Sequence, residues 1–240
     1  MNRVIFYPKS KLVKEVVPPP NLVSVPDWYK KLPMFQVRPD RSLDKLDVED
    51  GFANYSVKAC MPFLDTFTTG YTLNTWCDIQ VKVTETGSRM TWGHNDTDLN
   101  PVETAPNPGL PIITGFSPFV FSWRVLWGIK TPPGYSCLFT HPLNRFDLPF
   151  ITTSGVMDTD RWGLWGTQPF SLKEGWEGVI PAGTPFAQFV PFKRESWKSK
   201  IDTETDEGSL SEWGNYEYTR RNSKFRGYYK NNYWSRKEYK

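Results

Sequence analysis

The stretch TLNTWCDIQVKVTETGSRMTWG, Thr72–Gly93, alternates apolar and polar residues on both sides of Thr-Gly-Ser at 86–88. A period of two residues is typical of a strand with one buried face, and a short Gly-containing break between two such runs predicts a β-hairpin. Further short runs of strand character lie at 119–127, 135–140, 150–156 and 177–192. Many short strands separated by turns favour a single all-β domain, built as a barrel or a sandwich.

The composition supports this fold class. Of the 240 residues, 16% are aromatic and 11 are Trp, while 21 Pro and 17 Gly supply turns rather than helix interiors. A hydrophobic fraction of 38% exceeds that of a disordered chain. No stretch approaches the roughly 20 apolar residues of a membrane span. The polar start MNRVIFYPKSKLVKE does not resemble a signal peptide, so we expect no secretion by that route.

Changes in composition divide the chain into three parts. Residues 1–56 predict an irregular arm with short helices, 57–193 a β body, and 194–240 a wrap-around segment followed by a basic aromatic tail. In the arm, VPDWYKKLP at 25–33 predicts one helical turn capped by Asp27. A second short helix is predicted from Ser42 to Gly51.

The tail is the one strongly polarised segment. Residues 219–240 carry eight Lys or Arg and one acid, whereas 203–218 hold five acids and no Lys or Arg. Cations interleaved with aromatic rings suit single-stranded nucleic acid, and they suit an acidic protein groove equally well. They also suit a tail that folds back on the acidic segment 203–218 of its own chain, with its rings packed on the barrel, and the sequence leaves all three alternatives open.

Cysteine usage indicates a reducing environment. Cys60, Cys77 and Cys137 are widely spaced, odd in number and without a CxxC pair. We therefore expect free thiols rather than a disulfide framework.

Two central segments carry a family resemblance. Gly155–Gly163, GVMDTDRWG, and Pro181–Phe189, PAGTPFAQF, resemble paired motifs of the deoxyuridine triphosphatase and deoxycytidine triphosphate deaminase superfamily. The resemblance implies a β-clip body, and because members often form trimers it also implies a homo-oligomer. It implies that Asp158 orients a catalytic water or a sugar hydroxyl.

The same resemblance implies that Arg145, Gln188 and Trp162 contact substrate. Three departures weaken the enzymatic implication. Arg145 lacks the neighbouring hydroxyl of the family's phosphate turn, and Thr72 stands where the family places an acid. The C-terminus is basic and aromatic instead of Gly-rich. The alternative to a catalytic role for Asp158 is a structural one, in which its side chain accepts hydrogen bonds from nearby backbone amides of the turn. The residue types favour this structural role more strongly for Asp160.

A second resemblance covers most of 20–197. VPDWYKKLP at 25–33, KTPPGY at 130–135 and IPAGTPFAQFVPFKRE at 180–195 resemble an uncharacterised family of tailed phages, including cyanophages. It implies a phage protein in the host cytoplasm or the virion, and it implies no activity.

The two histidines raise a third possibility. His94 and Asp96 have H-x-D spacing, and His141 follows as a distal ligand, which is the order of an Fe(II)/2-oxoglutarate oxygenase triad. The sequence thus predicts first a non-catalytic binding or virion-associated protein without a cofactor. It leaves open a nucleotide hydrolase that would need Mg²⁺ and an oxygenase that would need Fe²⁺. It also predicts a protein partner or self-association.

Overall fold

A computed structural model describes residues 2–34, 56–85, 87–104, 109–163, 166–200, 212, 214–215 and 228–240. The chain divides into two compact units, one formed by 1–23, 69–194 and 239–240 and the other by 24–68 and 195–238. None of the helices in the described residues has the length and apolar character that a membrane span requires.

The first unit contains all fourteen described strands. They are β1 (Ile5–Pro8), β2 (Asn21–Leu22), β3 (Tyr71–Asn74), β4 (Ile79–Thr84), β5 (Gly87–Thr91), β6 (Val102–Thr104), β7 (Phe116–Val125), β8 (Trp127–Lys130), β9 (Tyr135–Thr140), β10 (Phe150–Thr152), β11 (Gly155–Met157), β12 (Gly166–Lys173), β13 (Gly178–Ile180) and β14 (Pro185–Lys193). The unit also contains helix α1 (Lys11–Val16) and a 3-10 helix at Thr97–Leu99.

The strands form four antiparallel sheets, and the all-β prediction is confirmed. Five strands lie in the order β11-β9-β14-β3-β2, and four in the order β10-β12-β7-β6. The remaining sheets are β13-β4-β5 and β1-β8. The described strands do not close into a barrel.

The predicted hairpin is present, but its turn is displaced. Strand β4 pairs with β5, and the register sets Thr84 opposite Gly87. Gly87 and Ser88, predicted as turn residues, therefore belong to β5.

Aromatic stacking fills the core of the first unit. Trp123 is fully buried and stacks on Phe170 with ring centroids 3.8 Å apart. Its indole N–H donates to Thr152 Oγ1 at 3.1 Å, so the ring is buried without an unpaired polar atom. At the edge of the core, Gly70 has φ of 79°, and a Cβ there would lie 2.2 Å from the backbone oxygen of Phe189. Only glycine fits this contact.

The second unit is built on short helices and stacked rings. Its described helices are α2 (Asp27–Lys31), a 3-10 turn at Val57–Ala59, α3 (Met61–Asp65) and α4 (Tyr228–Asn232). The aromatic cluster comprises Trp28, Tyr29, Phe63 and Phe67, with centroid separations of 5.1 to 6.4 Å.

The helical turn predicted at 25–33 is confirmed, but the prediction that Asp27 caps it was wrong. Pro26 occupies the cap position, and Asp27 is the first helical residue, paired with Lys30 at 3.1 Å. An acid in the first helical turn interacts favourably with the positive end of the helix without capping it. The helix predicted at Ser42–Gly51 lies outside the described residues.

Candidate functional site

The turn after β11 holds the carboxylate that the resemblance makes catalytic. The backbone oxygen of Asp158 accepts bonds from the N–H groups of Arg161 and Trp162 at 2.9 and 3.0 Å, which closes the turn. The carboxylate of Asp158 accepts from Ser136 Oγ at 2.7 Å and pairs with Arg194 at 3.1 Å. Asp158 stays 47% exposed, so one side of this carboxylate reaches solvent.

Asp160 is more deeply engaged in the same turn. Its carboxylate is 7% exposed and forms a two-pronged pair with Arg194, with Nη1 to Oδ1 at 2.8 Å. It also accepts from the N–H of Gly134 at 2.8 Å. The hydrogen bonds from Arg194 hold the pKa of the Asp160 carboxyl well below its usual range. We call the set Ser136, Asp158, Asp160 and Arg194 the Arg194 clamp.

The Arg194 clamp ties together three segments of the chain. Arg194 directly follows β14, Ser136 lies in β9, and the two acids follow β11. A bidentate guanidinium–carboxylate pair fixes both distance and orientation. The clamp thus restrains the turn that contains Asp158 and Asp160.

Gln188, predicted to contact substrate, lies inside the protein. It is fully buried on β14. Its Oε1 accepts from the N–H of Leu143 at 2.9 Å, and its Nε2 donates to the backbone oxygen of Thr69 at 2.7 Å. The amide therefore joins two loops to the strand.

The other two predicted substrate contacts have different surroundings. Arg145 donates through Nε and Nη2 to both carboxylate oxygens of Asp147 at 2.8 Å, and its side chain is 15% exposed. Trp162 is 66% exposed beside the Arg194 clamp. Only Trp162, of these two, presents most of its surface to solvent.

The three residues of the iron hypothesis each have a local partner. His94 Nδ1 accepts from the N–H of Asp96 at 3.0 Å, and the Asp96 carboxylate accepts from the N–H of Asp98 at 2.9 Å. His141 Nδ1 accepts from the N–H of Thr152 at 3.3 Å, so Nε2 carries the proton and donates to the backbone oxygen of Arg145. Burial lowers the pKa of His141.

These residues do not converge. In the described part of the chain, no group of three or more His, Cys, Asp or Glu side chains could hold a metal ion. That range includes all three predicted iron ligands.

A cavity in the first unit is lined by none of these residues, although His94 packs edge-on against one wall residue, Trp76, with ring centroids 5.3 Å apart. It has a volume of about 20 Å³, is partly open to solvent, and has Trp76, Trp123 and Trp127 in its wall. Asn74 and Arg124 are the polar members that reach solvent. We call it the indole cavity.

Two wall residues of the indole cavity carry polar atoms without a partner. The indole of Trp123 donates to Thr152, and that of Trp127 donates to the backbone oxygen of Val17 at 3.1 Å. In contrast, Trp76 Nε1 and Asn74 Oδ1 are buried and make no hydrogen bond within the described residues. Sequence reasoning missed this pair, although the alternation in Leu73–Trp76 places side chains 74 and 76 on the same side of the extended chain.

The described end of the basic tail contacts its own chain. In the second unit, the indole of Trp234 donates to both oxygens of Asp65 at 3.0 and 3.1 Å, and Lys237 pairs with the same carboxylate at 2.9 Å. In the first unit, Tyr239 packs edge-on against Tyr71 with ring centroids 5.8 Å apart. Residues 234–239 thus fold back on Asp65 and Tyr71 of their own chain, whereas most of the acidic segment 203–218, the predicted partner of the tail, lies outside the described residues.

No protein-family model and no curated protein matches the chain.

Proposed function

We propose that this chain is a non-catalytic binding protein. The observation that carries the proposal is the hydrogen bonding of the residues expected to act on a nucleotide. The side-chain amide of Gln188 already bonds two backbone groups. The Nε and Nη2 groups of Arg145 donate to the two carboxylate oxygens of Asp147. A nucleotide phosphate that used the Nε–Nη2 edge of that guanidinium would have to displace Asp147.

The lining of the indole cavity supports the same proposal. Its charged member is Arg124, and its wall contains no Asp, Glu, His, Lys or Cys among the described residues. General acid–base and nucleophilic catalysis need such groups within reach of the substrate. A binding role needs only shape and hydrogen-bond partners.

The proposed partner is a second copy of this chain, contacted through Trp162. The Arg194 clamp fixes the turn that precedes Trp162, and a large aromatic side chain on a rigid base is typical of an interface anchor. Val156, just before the same turn, is 63% exposed and lies on β11, the outer strand of its sheet. A tailed phage as the source, and the host cytoplasm or virion as the location, follow only from the sequence resemblance and belong to the same proposal.

Self-association is tested by light scattering after size-exclusion chromatography. We expect the wild-type chain to exceed its monomer mass of 27.8 kDa, and Trp162→Ser to elute as a monomer. The matched control is Trp197→Ser, which removes a Trp that is 86% exposed in the other unit and should leave the mass unchanged. A monomeric wild-type protein would contradict the proposed partner.

The enzymatic alternative needs its own assay. The half-exposed Asp158 favours a nucleotide hydrolase, since it is the one clamp carboxylate that water can reach. Purified protein is incubated with dUTP or dCTP and Mg²⁺, and the products are separated by chromatography. We expect no turnover. Hydrolysis or deamination that is lost in Asp158→Asn and kept in Asp98→Asn would replace the binding proposal with the enzyme.

A further inference from the structure

We propose that the indole cavity is a binding site for a single hydroxyl group, supplied either by water or by a small hydroxylated ligand such as a sugar. The inference goes beyond self-association, because none of the residues that line the cavity belongs to the Arg194 clamp or to the turn that holds Trp162. It rests on the size of the cavity and on the two buried polar atoms that lack partners.

The unpartnered atoms define the chemistry of the group. Trp76 Nε1 is a donor and Asn74 Oδ1 an acceptor. A carboxylate or a phosphodiester only accepts and would leave Asn74 unpaired, whereas an ammonium only donates and would leave Trp76 unpaired. A hydroxyl can accept from Trp76 and donate to Asn74, so it combines the acceptor and the donor that these two atoms require.

The volume limits the size of the group. About 20 Å³ exceeds the roughly 10–15 Å³ needed for one water molecule. The same space is too small for a nucleobase or a complete sugar ring. A ligand larger than water must therefore keep its ring outside and insert one hydroxyl.

The mouth of the indole cavity suits such a ligand. Pro18, Asn74, Trp76 and Arg124 are the lining residues that reach solvent. The faces of Pro18 and Trp76 offer apolar surface to the C–H groups of a sugar. Arg124 adds a cation, which favours further oxygen acceptors on the ligand and disfavours a positively charged one.

The position of Arg124 is fixed before any ligand arrives. Its Nη1 donates to the backbone oxygen of Thr97 at 2.5 Å, and its Nε lies 3.8 Å from Glu103. A donor that is already oriented loses little conformational entropy when it binds a ligand.

Nuclear magnetic resonance of the full chain tests the proposal through the indole N–H signals. The Trp76 signal is assigned with Trp76→Phe, and the Trp197 signal with Trp197→Phe as a control outside the cavity. Two measurements follow on wild-type protein, namely magnetisation transfer from water to each indole proton and titration with methyl α-glucoside, glycerol and sodium acetate.

Two outcomes support the proposal and identify the source of the hydroxyl. A saturable shift of the Trp76 signal with the glucoside or glycerol, with affinity reduced about tenfold or more in Asn74→Leu, assigns the site to a hydroxylated ligand. A rotating-frame Overhauser effect from water to Trp76, opposite in sign to the hydrogen exchange expected at the 86% exposed Trp197, with no saturable shift, assigns it to a long-lived water.

Two other outcomes overturn it. One is neither water transfer nor a saturable shift at Trp76. The other is a saturable shift with acetate alone, which would mean that the Asn74 amide presents its N–H₂ and that the cavity takes an anion. Both measurements use the wild-type protein, so neither outcome depends on the folding of a variant.

Discussion

The substitution Gln188→Met separates a structural from a substrate-binding role for this residue. Methionine keeps the length of the side chain but removes both polar atoms. The N–H of Leu143 and the backbone oxygen of Thr69 then lose their partners, which lie 2.9 and 2.7 Å from the amide. A partly buried backbone group without a partner costs about 1–2 kcal/mol, so we expect a loss of about 2–4 kcal/mol.

The chain offers a matched control in a second buried glutamine. Gln168 is 8% exposed, donates to the backbone oxygen of Thr153 at 2.8 Å, and has an Oε1 without a partner among the described residues. Gln168→Met loses one hydrogen bond but also removes an unpaired buried acceptor. These effects oppose each other, and we expect a change within about 1 kcal/mol.

Thermal unfolding followed by tryptophan fluorescence measures both variants. For a chain of this size, 1 kcal/mol shifts Tm by roughly 2–4 °C, so Gln188→Met should lower Tm by roughly 4–16 °C. Gln168→Met should stay within about 4 °C of wild type. A Gln188→Met protein with wild-type Tm would refute the structural role, and reduced nucleotide binding in that stable variant would restore the role implied by the family resemblance.

The backbone and the titrating groups lead to three further predictions. Gly70→Ala should lower Tm far more than Gly134→Ala. Both glycines have positive φ, but only at Gly70 would the added Cβ meet a backbone oxygen, 2.2 Å away. Equal losses of Tm would show that the positive φ, and not this contact, sets the cost of the substitution. Because Arg194 lowers the pKa of Asp160, the folded state gains stability above the unfolded pKa of about 3.9 and loses it as pH falls below that value. Chemical denaturation from pH 6 to pH 2 should therefore show a flatter profile in Asp160→Asn, and an unchanged profile would contradict the clamp. Because burial lowers the pKa of His141, stability should fall as pH drops below about 6.5, and His141→Gln should remove that slope whereas His94→Gln should keep it.

The pattern of apolar and polar residues along the chain predicted where strands lie better than it predicted which strands pair with each other. The runs at 135–140 and at the hairpin match β9, β4 and β5 closely. The run at 150–156 was predicted as one strand but forms two strands in the structure, because β10 pairs with β12 whereas β11 pairs with β9 in another sheet. Such a change of sheet depends on long-range pairing, which alternation along the chain does not encode.

The strand at 166–173 was missed for a different reason. Pro169 lies in its middle, and a proline within a run argues against a central strand. Strand β12 nevertheless pairs with β7 on one side and β10 on the other. Pro169 still accepts through its backbone oxygen, from the N–H and the hydroxyl of Thr153. A proline therefore removes one donor here without preventing the pairing.

The candidate sites likewise separate what the sequence predicts from what only the folded chain shows. Motif reasoning identified Asp158, Arg145 and Gln188 by residue type, but residue type does not reveal that Asp147 and two backbone groups already bind the latter two. The unpartnered atoms of Asn74 and Trp76 become visible only once every other donor and acceptor nearby has been paired. Hydrogen-bond satisfaction is a property of the folded chain, so no motif predicts it.

The two family-like segments have a structural role that accounts for their residues without catalysis. Both pair with β9, and the register places Phe139 opposite Gly155 on one side and Phe189 on the other. In the second segment, Gly183 donates its N–H to the backbone oxygen of Thr75 at 2.7 Å, and its φ of 83° favours glycine in the tight turn before β14. Three strands, β11, β9 and β14, thus need particular residues to hold their loops. These residues are an acid after β11, a glycine before β14 and the buried amide of Gln188 within β14. A scaffold that requires these residues for folding can present the motif whether or not it retains the chemistry, so the motif alone does not argue against the binding role that we propose.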